Sequence, residues 1–130
     1  MAARVHVLGT AQDGGFPHAG CACTSCESAR ADPGLRRRVS CVGLVGTTGQ
    51  TLIVDATPDF AAQMADLSRA AGRETRCVDA VVLTHAHMGH YLGLAMLGRE
   101  AMSASAVPVH CTRSMSRFLR ENRPWSYLVE

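Results

Sequence analysis

Apolar residues fall along this chain in short runs whose period changes from two toward three and four. Val5 to Gly9 predicts a short strand, and a glycine-rich loop, Gly9 to Gly20, follows it. A brief helix is expected from Cys26 to Ala31, stopped near Pro33-Gly34. Val39 to Gly46 and Thr51 to Asp55 read as two strands, and Thr47-Thr48-Gly49-Gln50 between them makes a hairpin turn. The period then becomes helical. Phe60, Met64 and Leu67 recur on one face, Thr57 offers a cap, Pro58 suits a first turn, Asp59 suits the positive helix end, and Gly72 is a stop. Val78 to Thr84 is the next strand, and its run Ala80-Val81-Val82-Leu83 fits burial on both faces. A second helix is expected from Tyr91 to about Met102, a strand from Val107 to Cys111, and a third helix capped by Thr112 and ending before Pro124. The order is strands first, then alternating strand and helix, in one α/β domain spanning residues 1–130 with no internal repeat.

Composition changes this picture little. With 130 residues, 47% hydrophobic and 18% charged, the chain has enough apolar material for one core and is not disordered. All thirteen basic residues are arginines and the net charge is +2. They are scattered apart from Arg36-Arg37-Arg38, which reads as a solvated turn or strand start, so no nucleic-acid partner is expected. No apolar run approaches the roughly 20 residues of a membrane span, and no signal peptide precedes the first strand. Six cysteines without an export signal point to reduced thiols or metal ligands in the cytoplasm.

Two constellations carry candidate chemistry. Thr84-His85-Ala86-His87-Met88-Gly89-His90 ends the fourth predicted strand and holds three of the six histidines. Residues i and i+2 leave the same side of an extended chain, so His85 and His87 should meet near one point. Gly89 lets the chain turn and bring His90 back toward them. Imidazole is the commonest metal-binding side chain, and the bland alternative is a turn in which three histidines merely cluster. Cys21-Ala22-Cys23-Thr24-Ser25-Cys26 is the second. Its three thiolates suit three corners of a structural zinc site, with His18 or Cys41 as a fourth ligand. A redox pair, Cys23 with Cys26, is the rival reading, and buried apolar thiols are a third.

At the histidine run the chain resembles the metallo-β-lactamase superfamily, whose signature is a buried strand ending in T-H-x-H-x-D-H. Leu52-Ile53-Val54-Asp55 resembles that superfamily's earlier strand ending in aspartate. The resemblance implies an αββα sandwich, of which this chain would be the N-terminal half, and a fragment or truncated reading frame is therefore expected. It implies that His85 and His87 hold one metal and that His90 belongs to a second. Asp55 would orient ligands without touching metal. Gly89 stands where the signature has aspartate, so either one metal binds or another carboxylate such as Asp59 is recruited. Gly14-Gly15-Phe16-Pro17 is similar to the pyrroloquinoline quinone biosynthesis protein B group. The cysteine cluster and the full set of histidines are similar to the cyclic phosphodiesterase associated with carbon–phosphorus lyase.

The glycine-rich loop lacks a nucleotide-binding spacing. It reads as a flexible loop at the cleft edge, with Asp13 within reach of the metal but solvent-exposed. Tyr91 reads as a packing residue as readily as a cleft residue. His110 and His6 read as structural, His110 as a hydrogen-bonded interior histidine. The expected function is a metal-dependent hydrolase of phosphodiesters that uses metal-bound hydroxide on a small-molecule substrate. It would carry structural zinc at Cys21, Cys23 and Cys26, and zinc, manganese or iron at His85, His87 and His90. The alternatives are an iron-dependent oxygenase-like enzyme and a non-catalytic metal-binding half-domain. Half a sandwich would expose an apolar face, so association into a homo-oligomer or poor solubility is expected.

Overall fold

A computed structural model of the chain describes residues 2–75 and 77–129. Five strands form one sheet in sequence order: β1 (Arg4–Gly9), β2 (Cys41–Val45), β3 (Thr51–Val54), β4 (Ala80–Val82) and β5 (Val109–His110). β1, β2 and β3 pair antiparallel, and β3, β4 and β5 pair parallel. The hairpin turn lies where the sequence predicts it, closed by the Gly46 amide on the Gln50 carbonyl at 2.7 Å. β4 is shorter than expected at both ends; past Val82 the Leu83 amide still bonds the His110 carbonyl at 2.8 Å before the chain enters the histidine run.

Side-chain alternation divides the sheet cleanly. Ile53 and Val81 point to one face, where they meet Phe60, Met64 and Leu67 of α2 (Phe60–Ala70) and Met115 and Leu119 of α3 (Arg113–Glu121). The cross-strand register Val5–Leu44–Leu52–Ala80 and Val7–Val42–Val54–Val82–His110 lines the other face. Val5 and Val7 are 68% and 70% exposed there. The sheet is thus covered by helices on one side and open on the other.

Thr57 does not cap α2 directly. The helix begins at Phe60, and the Thr57 hydroxyl instead accepts from the Asp59 amide at 3.0 Å and donates to the buried Gln63 at 2.6 Å. Gln63 in turn donates to the Val39 carbonyl at 2.8 Å. Thr112 caps α3 as expected, accepting from the Met115 amide at 3.2 Å. The first helix, α1, spans Thr24–Ala31, two residues longer at its start than the sequence suggests.

The helix expected from Tyr91 to Met102 is not α-helical. A tight 3₁₀ segment, Leu92–Leu97, follows a shorter one at Met88–His90. Backbone proximity explains the difference. Gly93 lies so close to the start of α2 that a Cβ there would sit 2.2 Å from the Thr57 carbonyl oxygen, and its amide donates to Ala56 at 2.9 Å. The segment is laid against another backbone, and its path follows that contact rather than α-helical propensity. A four-residue helix, α4 (Ser126–Val129), ends the described chain. Among the described residues, no helix is long and apolar enough to cross a membrane.

Arg36 and Arg37 of the Arg36-Arg37-Arg38 run have local partners, and Arg38 reaches across to α2. Arg36 donates to the carbonyls of Ala29 and Arg30 at the end of α1, Arg37 to Gly34, and Arg38 pairs with Asp66 at 2.5 Å.

Candidate metal centre

The carboxyl ends of β3 and β4 lie side by side, the place where open α/β sheets bind ligands. β3 runs out at Val54 and Asp55 follows with φ of 70°. Aspartate tolerates this left-handed conformation better than most residues, and it costs on the order of 1–3 kcal/mol unless neighbours fix it. Here Thr84 and His90 fix it. Asp55 is 8% exposed. Its Oδ1 accepts from the Thr84 amide at 2.8 Å and the Thr84 hydroxyl at 2.9 Å, and its Oδ2 accepts from His90 Nδ1 at 2.8 Å. The aspartate therefore sets the ring plane of His90 and leaves Nε2 facing the cleft, the orienting arrangement of many metal sites.

The three histidines come together. Ring centroids of His85 and His87 lie 4.5 Å apart, and those of His85 and His90 lie 4.2 Å apart. Donor atoms of Asp55, His85 and His90 all fall within 4.8 Å of one another. His87 joins through its ring contact with His85. Three imidazoles, one of them held in place by a carboxylate, suit zinc, manganese and iron alike, so the residues present fit a divalent metal.

The glycine-rich loop departs from expectation. It is pinned, not loose. Ala11 and Thr10 donate to Arg38, and Phe16 and Arg37 exchange both backbone bonds, at 2.8–3.0 Å. Between these anchors a tight turn closes from Gln12 to Gly15 at 2.7 Å and carries Asp13 to the histidines. Asp13 is solvent-exposed, as expected, and its Oδ1 also reaches the site, 3.1 Å from His90 Nε2. Asp59 is also settled by contact. Its Oδ2 accepts from the Val39 amide at 2.9 Å, which turns it away from the role of substitute ligand.

Tyr91 packs edge-on against Phe118 and Trp125, at 5.4 and 5.2 Å, as a structural residue. His110 is exposed on the open sheet face, not interior, because β5 places it on the side that no helix covers. His6 is half-buried in β1. A cavity of about 200 Å³ adjoins His85, lined by Thr84, Thr112, Ser114, Met115 and Phe118 among others.

At the second constellation, the thiols of Cys21, Cys23 and Cys26 lie within 4.8 Å of one another. Hydrogen bonds from the backbone at Cys26 and from the Cys21 thiol lower the pKa of Cys23, which favours the thiolate a metal needs. At Cys26 the His18 amide, 3.4 Å from Sγ, pulls the pKa down, but burial and hydrogen bonding with Cys21 and Cys23 outweigh it and the net shift is upward. The His18 ring turns to the Ala19 carbonyl at 2.9 Å, and only its amide faces the thiols. Cys41 belongs elsewhere. It sits in the core beneath Asp55, with Sγ 3.6 Å from the Asp55 carbonyl oxygen, and burial followed by the Asp55 charge pushes it up to about 12. A thiol held protonated in the core is a poor fourth ligand.

Residues 50–129 match the model of the Beta-lactamase superfamily domain. The chain belongs to the metallo-β-lactamase superfamily. It is 32% identical over 119 residues to the coenzyme PQQ synthesis protein B of Cupriavidus necator, an alignment covering 85% of this chain and 37% of that protein. Among solved structures it is similar to a diphosphatase from the PhnP family, with a TM-score of 0.71 and 30% identity over 98% of this chain and 48% of that one. It also shares its fold with Zn²⁺-bound PqqB from Methylobacterium extorquens, with a TM-score of 0.76 and 24% identity over 95% and 45% of the two chains. The chain therefore spans less than half the length of each of these three relatives.

Proposed function

We propose that this chain carries the metal-binding half of a hydrolase that cleaves phosphodiester bonds. The observation that carries this reading is the convergence of Asp55, His85 and His90 within 4.8 Å, with His87 beside them, at the carboxyl ends of parallel strands. Similarity to a diphosphatase of the same superfamily supports a phosphorus-centred substrate. A bound divalent metal would supply hydroxide near neutral pH and draw charge from a phosphoryl oxygen. The residues do the rest. His85 and His87, with His90, would hold the ion. Asp55 keeps the His90 ring in place and, through Thr84, the start of the histidine run. Cys21, Cys23 and Cys26 would take a structural zinc that fixes the loop before α1.

Elemental analysis of metal per chain, after stripping and controlled reloading, tests the reading together with hydrolysis of bis(p-nitrophenyl) phosphate. A His85→Ala, His87→Ala double variant should lose one class of bound metal and any turnover. Unchanged stoichiometry would sink the proposal. A second reading, an iron-dependent oxygenase-like enzyme, draws on the similarity to coenzyme PQQ synthesis protein B. Oxygen uptake with iron and none with zinc would favour it.

A further inference from the structure

Gly89 is buried in the histidine run and has no side chain to offer the site. The space its side chain would take is filled. A Cβ built on Gly89 would lie 2.5 Å from Cγ of Asp13, 2.6 Å from its Cβ and 2.7 Å from its Oδ2. A carboxylate from the other end of the chain thus occupies the volume where a side chain at position 89 would begin. Asp13 is held there by the pinned turn between Ala11 and Phe16, and it is in contact with His90.

The geometry at His90 gives a second, independent indication. The ring faces a carboxylate at each nitrogen, Asp55 Oδ2 at 2.8 Å and Asp13 Oδ1 at 3.1 Å. Asp55, nearly buried and already holding Thr84, fixes the ring through Nδ1. Nε2 and Asp13 Oδ1 then face one another 3.1 Å apart at the cleft, close enough for both to reach one cation.

We propose that Asp13 is a metal ligand, the carboxylate that position 89 cannot supply, delivered from the glycine-rich loop to an ion shared with His90. The proposal rests on the metal-centre reading above and adds to it a ligand from outside the histidine run. It also explains the absence of a side chain at position 89, because Asp13 and any larger residue there would compete for one space.

Cobalt(II) titration of the stripped 130-residue protein separates the two ideas. Visible d–d bands report nitrogen and oxygen ligands, while thiolate binding at the cysteines shows as near-ultraviolet charge transfer. Asp13→Asn should weaken the visible-band site by roughly 10- to 100-fold and alter its band shape, with the charge-transfer band unchanged. Gly89→Asp alone should also weaken it, by displacing Asp13. The Asp13→Gly, Gly89→Asp double variant should recover binding, a reciprocal rescue that a merely structural Asp13 would not give. Circular dichroism of each variant checks the fold. Wild-type affinity in Asp13→Asn, or no recovery in the double variant, overturns the proposal. If His85→Ala, His90→Ala also keeps the visible bands, the metal-centre reading fails with it; if that variant loses them, Asp13 alone is excluded.

Discussion

Asp55 concentrates more of the site's order than any other side chain. It holds a left-handed backbone, the Thr84 amide and hydroxyl, and the ring of His90. Hydrogen bonds to a charged group are worth about 1.5–3 kcal/mol each, and alanine would add strain at φ of 70°. Asp55→Ala should therefore destabilise the protein by about 3 kcal/mol or more. Asp55→Asn suits the same backbone and can still accept from Thr84, so it should lose little stability. Its amide meets His90 Nδ1 with the opposite polarity, however, and metal affinity should fall on the order of tenfold or more. Urea unfolding and metal titration of the pair check this split, and equal behaviour of the two variants would argue against an orienting role. At this scale the sequence is partly legible. The spacing of His85, His87 and His90 and the strand-end position of Asp55 are local patterns, and local patterns survive translation into structure. Asp13 is not local. It meets His90 across 77 positions, and nothing in its own neighbourhood distinguishes it from a loop carboxylate.

Elements show the same division between near and far. Strands and the α2 face follow from period, and Phe60, Met64 and Leu67 are buried as their spacing requires. Gln63 breaks the pattern. Position 63 falls on the same face as Phe60, Met64 and Leu67, but it carries an amide, which is fully buried and joins three segments: it accepts from Thr57 and donates to the carbonyls of Val39 and Leu8. The same network holds the entry to α2 against the segment that pins the Asp13 loop. Gln63→Leu keeps volume but leaves these buried groups unpaired, each at about 1–3 kcal/mol. A loss of about 2–4 kcal/mol in urea unfolding is expected, and a change within about 0.5 kcal/mol, typical of surface positions, would contradict the account. The 3₁₀ path of Leu92–Leu97 was illegible for a related reason. Its residues have ordinary helical composition, and the close approach of Gly93 to Thr57 and Phe60, which dictates its course, is a tertiary fact.

For the molecule as a whole, the decisive asymmetry is the sheet. One face is sealed by α2 and α3, while Val5, Val7 and Leu44 stand exposed on the other in one cross-strand patch with Val42, Leu52 and Val54. The alternation that buries Ile53 and Val81 necessarily turns these residues outward, so the apolar face is written into the same strand pattern that builds the core. Water-exposed apolar surface of this kind favours association, at roughly 25 cal/mol for each Å² removed from water. The 130-residue chain should therefore self-associate with rising concentration through this face. Val5→Thr with Val7→Thr keeps β-branched shape and strand preference while adding hydroxyls where no partner group is buried. The double variant should shift sedimentation toward monomer, with unchanged circular dichroism and unchanged metal content, because the histidine and cysteine clusters lie at the strand ends and in the loops. A wild-type chain that sediments as a monomer at every concentration would show that this face is tolerated by water as it stands. Association that persists in the variant would place the contact elsewhere, with the patch around α4 the next surface to alter, since Tyr127 and Val129 are also exposed there.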